Sequence, residues 1–228
     1  REFPRIVNQQ KDSKSNWIIL ADLDQSEEGR PTIDRLLSVN PKDYDGIFQI
    51  GDFAYNIEDD NGKRGDEFFN IMSPKTSRIP YLVIAGNHEK KNKFKLFNYR
   101  FKMPGGGKPL KRGSHYYSFT TKGVHFITTN WDWLFSKKIS KKEHRERKLE
   151  LFYWLEEDLK THYDDPNINF MIFMSHRPFN CAFESKDCFT MLHLRPFKAL
   201  LRKYKVDLLL SGHKHKYYRL KLLTDDFE

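Results

Sequence analysis

The order of apolar and polar residues predicts strands that alternate with helices. Five apolar runs have the length of a strand buried on both faces, and each stops at a polar residue or a glycine; they are residues 17–21, 46–50, 81–85, 170–174 and 207–211. Segments with helical periodicity lie between several of these runs, at residues 32–39, 65–72, 142–160 and 194–204. This alternation indicates an α/β fold with a largely parallel sheet.

Two further runs have a different character. Residues 115–121 and 124–130 are rich in aromatic and β-branched side chains, and only Lys122 and Gly123 separate them. So short a connection predicts an antiparallel pair of strands, which we assign to a second sheet. No linker rich in proline, glycine or serine divides the 228 residues. We therefore expect one domain, residues 1–228, with two packed β-sheets flanked by helices.

Side chains that can bind metals follow all five apolar runs, at the end where α/β sheets bind their ligands. These side chains belong to Asp22, Asp52, Asn87, His176, His213 and His215. A single aspartate or histidine at such a place is as well explained by a helix cap or a packed ring; the repetition at five ends favours a metal site. Mixed oxygen and nitrogen donors suit iron, zinc or manganese. Six protein ligands predict two ions with a bridging carboxylate.

The composition is that of a basic globular protein. The formal net charge is +9, the mean hydropathy is −0.76 and 15% of the residues are aromatic. A positive charge favours anionic partners such as phosphorylated substrates, nucleic acid or an acidic membrane surface. The basic run 137–150 is interspersed with acids at helical spacing, so we interpret it as the solvated start of an amphipathic helix and disfavour nucleic-acid binding. The sequence contains neither a signal peptide nor a run of about 18 apolar residues.

The two cysteines, Cys181 and Cys188, lie seven residues apart. They can close a small disulfide loop, worth roughly 2–3 kcal/mol if oxidised. A zinc pair is the alternative, but the separation does not match the usual short spacing of zinc-binding cysteines. We favour the disulfide, which would indicate an oxidising compartment.

Four motifs carry a resemblance to a known family. GDFAY (51–55), GNHE (86–89), SHRP (175–178) and GHKH (212–215), in this order after Asp22, resemble the metallophosphoesterase superfamily. Tyr55 narrows the resemblance to purple acid phosphatases of the long animal and plant type, in which a tyrosinate at this place binds ferric iron. The resemblance extends from about residue 17 to residue 219. It implies a four-layer α/β fold, in which two packed mixed sheets are flanked by helices and hold a dinuclear metal site.

The resemblance also implies a role for each motif residue. Ferric iron would be held by Asp22, Tyr55 and His215; a divalent iron, zinc or manganese ion would be held by Asn87, His176 and His213; and Asp52 would bridge the two. His88 would contact the substrate phosphate and stabilise the transition state.

The sequence departs from the family pattern in three places. Asp24 puts a carboxylate where related phosphoesterases carry a metal-binding histidine, so it either approaches the first metal or caps the next turn. The leaving-group acid of plant-type members is replaced by Glu184-Ser185-Lys186, which leaves His193 as a weak candidate. The usual N-terminal fibronectin-like domain is expected to be absent, and the chain is expected to be a catalytic domain clipped at its C terminus.

The implied activity is that of an acid phosphatase, a hydrolase that cleaves phosphate monoesters of small molecules or proteins by attack of a metal-bound hydroxide. Two alternatives stay open: another dinuclear phosphoesterase activity, on phosphodiesters or nucleotide pyrophosphates, and a phosphatase-like structural or binding subunit. Members of this family are usually secreted, lysosomal or vacuolar. The chain contains no N-x-Ser/Thr acceptor for an N-glycan.

Overall fold

The first sheet is parallel, and it supplies three of the five strand ends that candidate metal ligands follow. In this computed structural model, residues 14–104, 114–136, 139–179 and 194–220 are described. Strands β1 (Trp17–Leu20), β2 (Gly46–Ile50) and β3 (Tyr81–Ile84) lie side by side in that order. Helix α1 (Arg30–Ser38) connects β1 to β2, and helix α2 (Lys63–Thr76) connects β2 to β3.

The second sheet is mixed. Its strands are β4 (Tyr116–Thr121), β5 (Val124–Thr129), β6 (Phe170–Ser175) and β7 (Leu208–Ser211), again in chain order. Strands β4 and β5 are antiparallel, and the remaining pairs are parallel. In chain order, the short helix α3 (Lys95–Arg100) lies between β3 and β4. Helices α4 (Trp131–Leu134) and α5 (Lys141–His162) precede β6, and α6 (Arg195–Lys203) precedes β7.

The two sheets pack face to face through aromatic side chains. The rings of Phe48 and Phe126 lie 5.3 Å apart, and Trp17 contacts both. All five residues of β2 are buried, and neighbours along the strand face different layers: Phe48 points to the other sheet, whereas Ile47 joins the cluster under the helices. This burial on both faces explains the unbroken apolar runs of the sequence. The layers are therefore helix, sheet, sheet and helix.

The predicted elements are confirmed, with small shifts at their ends. The four predicted helical segments correspond to α1, α2, α5 and α6, and those for α1 and α6 extend one residue beyond the observed ends. The basic run leads into α5, where Ser140 caps the Glu143 amide and Glu143 pairs with Arg147 at 2.6 Å. Helix α2 extends beyond its predicted end and contains Pro74 in its last turn. Among the described residues, no helix is long and apolar enough to cross a membrane. Cys181, Cys188 and His193 lie outside the described residues.

Candidate metal centre

All seven side chains that the sequence nominates lie at one edge of the paired sheets. They follow five strand ends: Asp22 after β1, Asp52 and Tyr55 after β2, Asn87 after β3, His176 after β6, and His213 and His215 after β7. Contacts join the residues from the two sheets. The His176 Nε2 atom lies 3.1 Å from an Asp52 oxygen, and the His215 Nε2 atom lies 3.4 Å from an Asp22 oxygen.

His176 is oriented so that one ring nitrogen faces two oxygen atoms. Its Nδ1 atom lies 2.9 Å from the Ile50 carbonyl oxygen and must donate the hydrogen there, since a carbonyl only accepts. Its Nε2 atom lies 3.1 Å from both Asn87 Oδ1 and Asp52 Oδ2. Three electron-rich atoms that converge in this way need a proton or a metal cation between them. A backbone bond on the far ring nitrogen is also how metal-binding histidines are usually held.

Asp22 stands at the centre of a second group. Its Oδ2 atom accepts the His213 backbone N–H at 2.7 Å. Its Oδ1 atom is buried and has no hydrogen-bond partner among the described residues. His215 Nε2 lies 3.4 Å from this atom and 2.5 Å from the Tyr55 hydroxyl oxygen. A buried carboxylate oxygen with an unmet need for a partner fits a metal ligand. The residues present therefore fit the two ions that the sequence predicts.

The backbone at these residues adopts a conformation that most side chains avoid. Five of the seven have a positive φ: Asp22 at 53°, Asp52 at 53°, Tyr55 at 43°, His213 at 76° and His215 at 45°. Such strain costs of order 1–3 kcal/mol per residue and concentrates at functional sites. Space is equally tight, because a Cβ atom on Gly51 would lie 2.6 Å from His176 Nδ1, and one on Gly212 would lie 2.6 Å from Asp22 Oδ2.

Glu89 fixes the loops that carry the site, and the sequence analysis gave it no role. Its buried carboxylate accepts backbone N–H groups from Asp52, Phe53 and Gly86 at 2.7–2.9 Å. It thereby ties the loop after β2 to the loop after β3. Burial, together with the negative charge of Asp52, raises the pKa of Glu89 to about 8. The signal in the sequence was its place in the GNHE motif.

Burial and charge act in opposite directions on the central pair. Burial raises the pKa of Asp52, but the hydrogen bond and positive charge of His176 outweigh it, so the pKa of Asp52 is lowered. Burial lowers the pKa of His176, but Asp52 and Asp22 raise it to about 9. The pKa of Asp22 is raised, chiefly by burial. The site thus concentrates negative charge that a cation would stabilise.

His88 lies beside the candidate ligands with its ring partly exposed. Its backbone N–H donates to Asp52 Oδ1 at 2.9 Å, and its Nε2 atom lies 3.9 Å from Asp52 Oδ2. The Nδ1 atom lies 2.9 Å from Asn56 Oδ1, to which it donates. Asn56 therefore fixes the ring so that Nε2 faces the site, a contact that the sequence did not reveal.

Asp24 caps a turn. Its Oδ1 atom accepts from the backbone N–H and the hydroxyl of Ser26, at 3.1 and 2.6 Å. Its Oδ2 atom lies 3.5 Å from Arg64 Nη2. Of the two alternatives that the sequence left open, the structure supports the cap.

A second group of histidines and a carboxylate lies at the opposite end of the second sheet. It consists of His125 at the start of β5 and Asp158 and His162 on α5. Asp158 accepts from His125 Nε2 at 2.9 Å and from the Ser118 hydroxyl, while Thr120 contacts His125 Nδ1 at 2.8 Å. His162 Nδ1 donates to the Asp158 carbonyl oxygen at 2.7 Å. The hydrogen bonds described for this group join its three residues to one another and to Ser118 and Thr120 on β4.

The fold and the site together define a class: α/β proteins that gather candidate metal ligands at the carboxyl ends of two packed sheets. The family model of the calcineurin-like phosphoesterases matches residues 18–217. The chain therefore belongs to the calcineurin-like phosphoesterase family. Purple acid phosphatases within this family imply a dinuclear metal centre, and the structure contains a cluster that could hold a metal ion, formed by Asp52, His176 and His213.

Two relatives in sequence are named as phosphatases. The human protein acid phosphatase type 7 is 34% identical over 190 residues, which cover 78% of this chain and 41% of that protein. Purple acid phosphatase 22 of Arabidopsis thaliana is 27% identical over 216 residues, which cover 90% of this chain and 45% of the relative. The chain thus spans less than half the length of these relatives.

Solved structures show the same fold. The purple acid phosphatase PPD1 from yellow lupin superposes with a TM-score of 0.68 at 19% identity, covering 91% of this chain and 39% of that chain. GAP50, described as the anchor in the inner membrane complex of Plasmodium, superposes with a TM-score of 0.64 at 16% identity, covering 87% of this chain and 65% of that one.

Proposed function

We propose that this protein is a metal-dependent acid phosphatase that hydrolyses phosphate monoesters. The observation that carries the proposal is the convergence at His176, whose Nε2 atom faces the oxygens of Asp52 and Asn87 at 3.1 Å. These three residues come from three different strand ends and two different sheets. Their meeting, together with the buried and unpartnered Oδ1 atom of Asp22, supports a cation site rather than ordinary packing.

The candidate ligands divide into two sets around Asp52. Ferric iron would be held by Asp22, Tyr55 and His215. A divalent iron, zinc or manganese ion would be held by Asn87, His176 and His213, and both ions would share Asp52. When bound, two such ions polarise a phosphate ester, activate water and neutralise the charge that develops on the leaving oxygen. Asp22 and Asp52 supply the negative charge that balances the ions.

The protein residues contribute orientation and hydrogen bonds. Glu89 holds the backbone of Asp52, and the Ile50 carbonyl holds the ring of His176. His88, whose ring Asn56 fixes through Nδ1, presents Nε2 to the site, where the doubly protonated ring can donate to a phosphate oxygen that becomes more negative in the transition state. His193, the weak candidate for protonation of the leaving group, lies outside the described residues.

Tyr55 provides the sharpest test of the metal assignment. Burial and the charges of Asp22 and Asp52 raise the pKa of its phenol, so the protein alone keeps it protonated. A ferric ion reverses this preference, and phenolate bound to ferric iron absorbs visible light. The purified, iron-loaded protein should show a broad visible band and hydrolyse p-nitrophenyl phosphate. Tyr55→Phe should remove the band while circular dichroism stays unchanged.

The outcomes separate the levels of the proposal. A colourless, active protein with manganese, zinc or ferrous iron in both positions would contradict the ferric assignment and leave the phosphatase intact. Faster hydrolysis of bis(p-nitrophenyl) phosphate than of the monoester would instead favour a phosphodiesterase. A folded protein that binds no metal and has no activity would contradict the proposal entirely.

A structural or binding subunit is the second candidate. It is favoured by the similarity in fold to GAP50, a protein described as an anchor. Metal analysis of the purified protein distinguishes the two: near-stoichiometric iron with a second metal supports the enzyme, and an empty protein supports the anchor.

We further propose that residues 1–228 form a single catalytic domain, and that the protein works in a secreted, lysosomal or vacuolar compartment, where a Cys181–Cys188 disulfide would persist. This rests on the resemblance to purple acid phosphatases. Two free thiols in the native protein, measured by intact mass after alkylation with and without reduction, would count against the disulfide and weaken the compartment.

A further inference from the structure

Arg177 is a basic side chain at the edge of the candidate metal centre. It follows His176 directly after β6, and its side chain is only 15% exposed. Its Nη1 atom lies 2.9 Å from His213 Nε2. Because a guanidinium has hydrogens to donate and no acceptor, His213 must accept through an Nε2 lone pair in this contact.

Asp132 anchors the guanidinium from the side away from His213. Both oxygens of Asp132 lie 2.9 Å from Arg177 Nε. Asp132 lies in helix α4 beside Trp131, which is fully buried against Phe173 and Phe197. The Ser175 hydroxyl also donates to the Arg177 carbonyl oxygen at 2.9 Å. The arginine is therefore held at its backbone carbonyl and at Nε, and its Nη1 atom reaches the candidate ligand His213.

The contact with His213 places Arg177 beside a candidate metal ligand, where it could reach an anion bound to the metal. A nitrogen lone pair serves one partner at a time, so a metal on His213 Nε2 would take the place of Arg177 Nη1. Asp132 would keep Nε fixed, and Nη1 would turn to a neighbouring acceptor. An oxygen of an anion bound to that metal would be a suitable acceptor, since guanidinium and phosphate match in charge and geometry.

We propose that Arg177, anchored by Asp132, binds a phosphate oxygen of the substrate and sets the preference for monoesters over diesters. This inference rests on the proposed phosphatase function. A monoester carries up to two negative charges on its peripheral oxygens near neutral pH, whereas a diester carries one. A fixed positive charge at the edge of the site therefore stabilises bound monoester more than bound diester. His88 approaches from the first sheet, and Arg177 approaches from the second.

The test measures phosphate affinity as well as turnover. Wild type and Arg177→Gln are loaded with metals, and binding of inorganic phosphate is measured by calorimetry. We expect Arg177→Gln to bind phosphate about 10- to 100-fold more weakly, which is the usual effect of losing a hydrogen bond to a charged group. The kcat/KM for p-nitrophenyl phosphate should fall by a similar factor, and that for bis(p-nitrophenyl) phosphate by less than about threefold.

Two further variants define the cause. Asp132→Asn keeps the arginine but weakens its anchor, so we expect a smaller loss of phosphate affinity, roughly three- to tenfold. Arg35→Gln removes the same charge from an exposed position on α1 and should leave phosphate affinity unchanged. At saturating metal concentrations the metal content should be equal in all four proteins, because none of the three substitutions removes a candidate metal ligand.

Each outcome decides the inference separately from the activity. If Arg177→Gln binds phosphate as tightly as wild type, or loses mono- and diester hydrolysis equally, the inference is wrong even though the protein is a phosphatase. If wild type binds phosphate without hydrolysing it, the proposed activity fails, and the affinity of Arg177→Gln still decides the role of Arg177. A wild type that takes up no metal and no phosphate overturns both.

Discussion

Two groups of histidines and carboxylates lie at opposite ends of the second sheet, and they differ in how their hydrogen bonds close. In the group at the start of β5, Asp158 accepts from His125 and Ser118, and Thr120 contacts the other ring nitrogen of His125. In the group at the carboxyl ends, His176 Nε2 faces two acceptors, and Asp22 Oδ1 has no hydrogen-bond partner among the described residues. Both groups combine histidines with aspartate, but each Asp158 oxygen accepts a hydrogen bond, whereas one Asp22 oxygen finds no donor among the described residues.

The difference shows what distinguishes a structural network from a ligand site. Donors and acceptors alternate around Asp158, and the stacked rings of His125 and His162, 3.8 Å apart, fill the space between sheet and helix. At the candidate metal centre the Oδ1 atom of Asp22 has no donor among the described residues, and the backbone is strained at five candidate ligands. Strain and unmet acceptors persist only where something else compensates, and a bound cation does so.

The same substitution in the two groups should have very different effects. His176→Ala removes a candidate ligand, so we expect activity to fall by about 10³-fold and metal content to drop, while apolar burial keeps the sheets folded. His162→Ala should keep activity within about twofold and leave metal content unchanged. Kinetics, metal analysis and circular dichroism check both variants. Equal loss of metal from the two variants would mean that the His125 group also binds metal.

Removing the hydrogen bonds that Asp158 accepts should lower the stability of the fold and leave the activity nearly unchanged. Asp158→Ala leaves His125 and Ser118 without their acceptor, which we expect to lower the free energy of unfolding by about 2–4 kcal/mol. For a chain of this length the melting temperature should fall by roughly 4–16 °C. Activity per folded molecule should stay within about twofold. The matched control is Glu157→Ala, an exposed neighbour on α5. A melting temperature equal to that of the control would show that the network contributes nothing.

The smallest effect is expected at Asp24. Because its carboxylate caps the turn at Ser26 and lies near Arg64, Asp24→Asn should cost about 0.5–1 kcal/mol of stability. Metal content and activity should be close to those of wild type. A tenfold loss of metal affinity would instead place Asp24 among the ligands, and the contrast between the two groups would then have to include a third carboxylate.

Much of the fold followed from local pattern. Strand β2 lies at its predicted residues and the other strands within about one residue of theirs, because strands buried on both faces are uniformly apolar and end at polar residues. Helix α2 was predicted too short at both ends, and its last turn contains Pro74, whose ring the helix tolerates there. Six of the seven candidate ligands could be named because each follows a strand end, and parallel strands end at one edge; Tyr55 was named only through the family resemblance.

The sequence by itself determined which side chains would meet at the sheet edge, because period and strand direction decide that. Only the tertiary structure decided what those side chains do for one another. Asp132 and Arg177 are 45 residues apart, and Glu89 bonds backbone groups more than 30 residues away. The packing of the helices closes the Asp158 network through residues from β4, β5 and α5. Such contacts depend on loop conformation and on the packing of distant elements, and no local pattern of apolar and polar residues encodes the distance between two particular atoms.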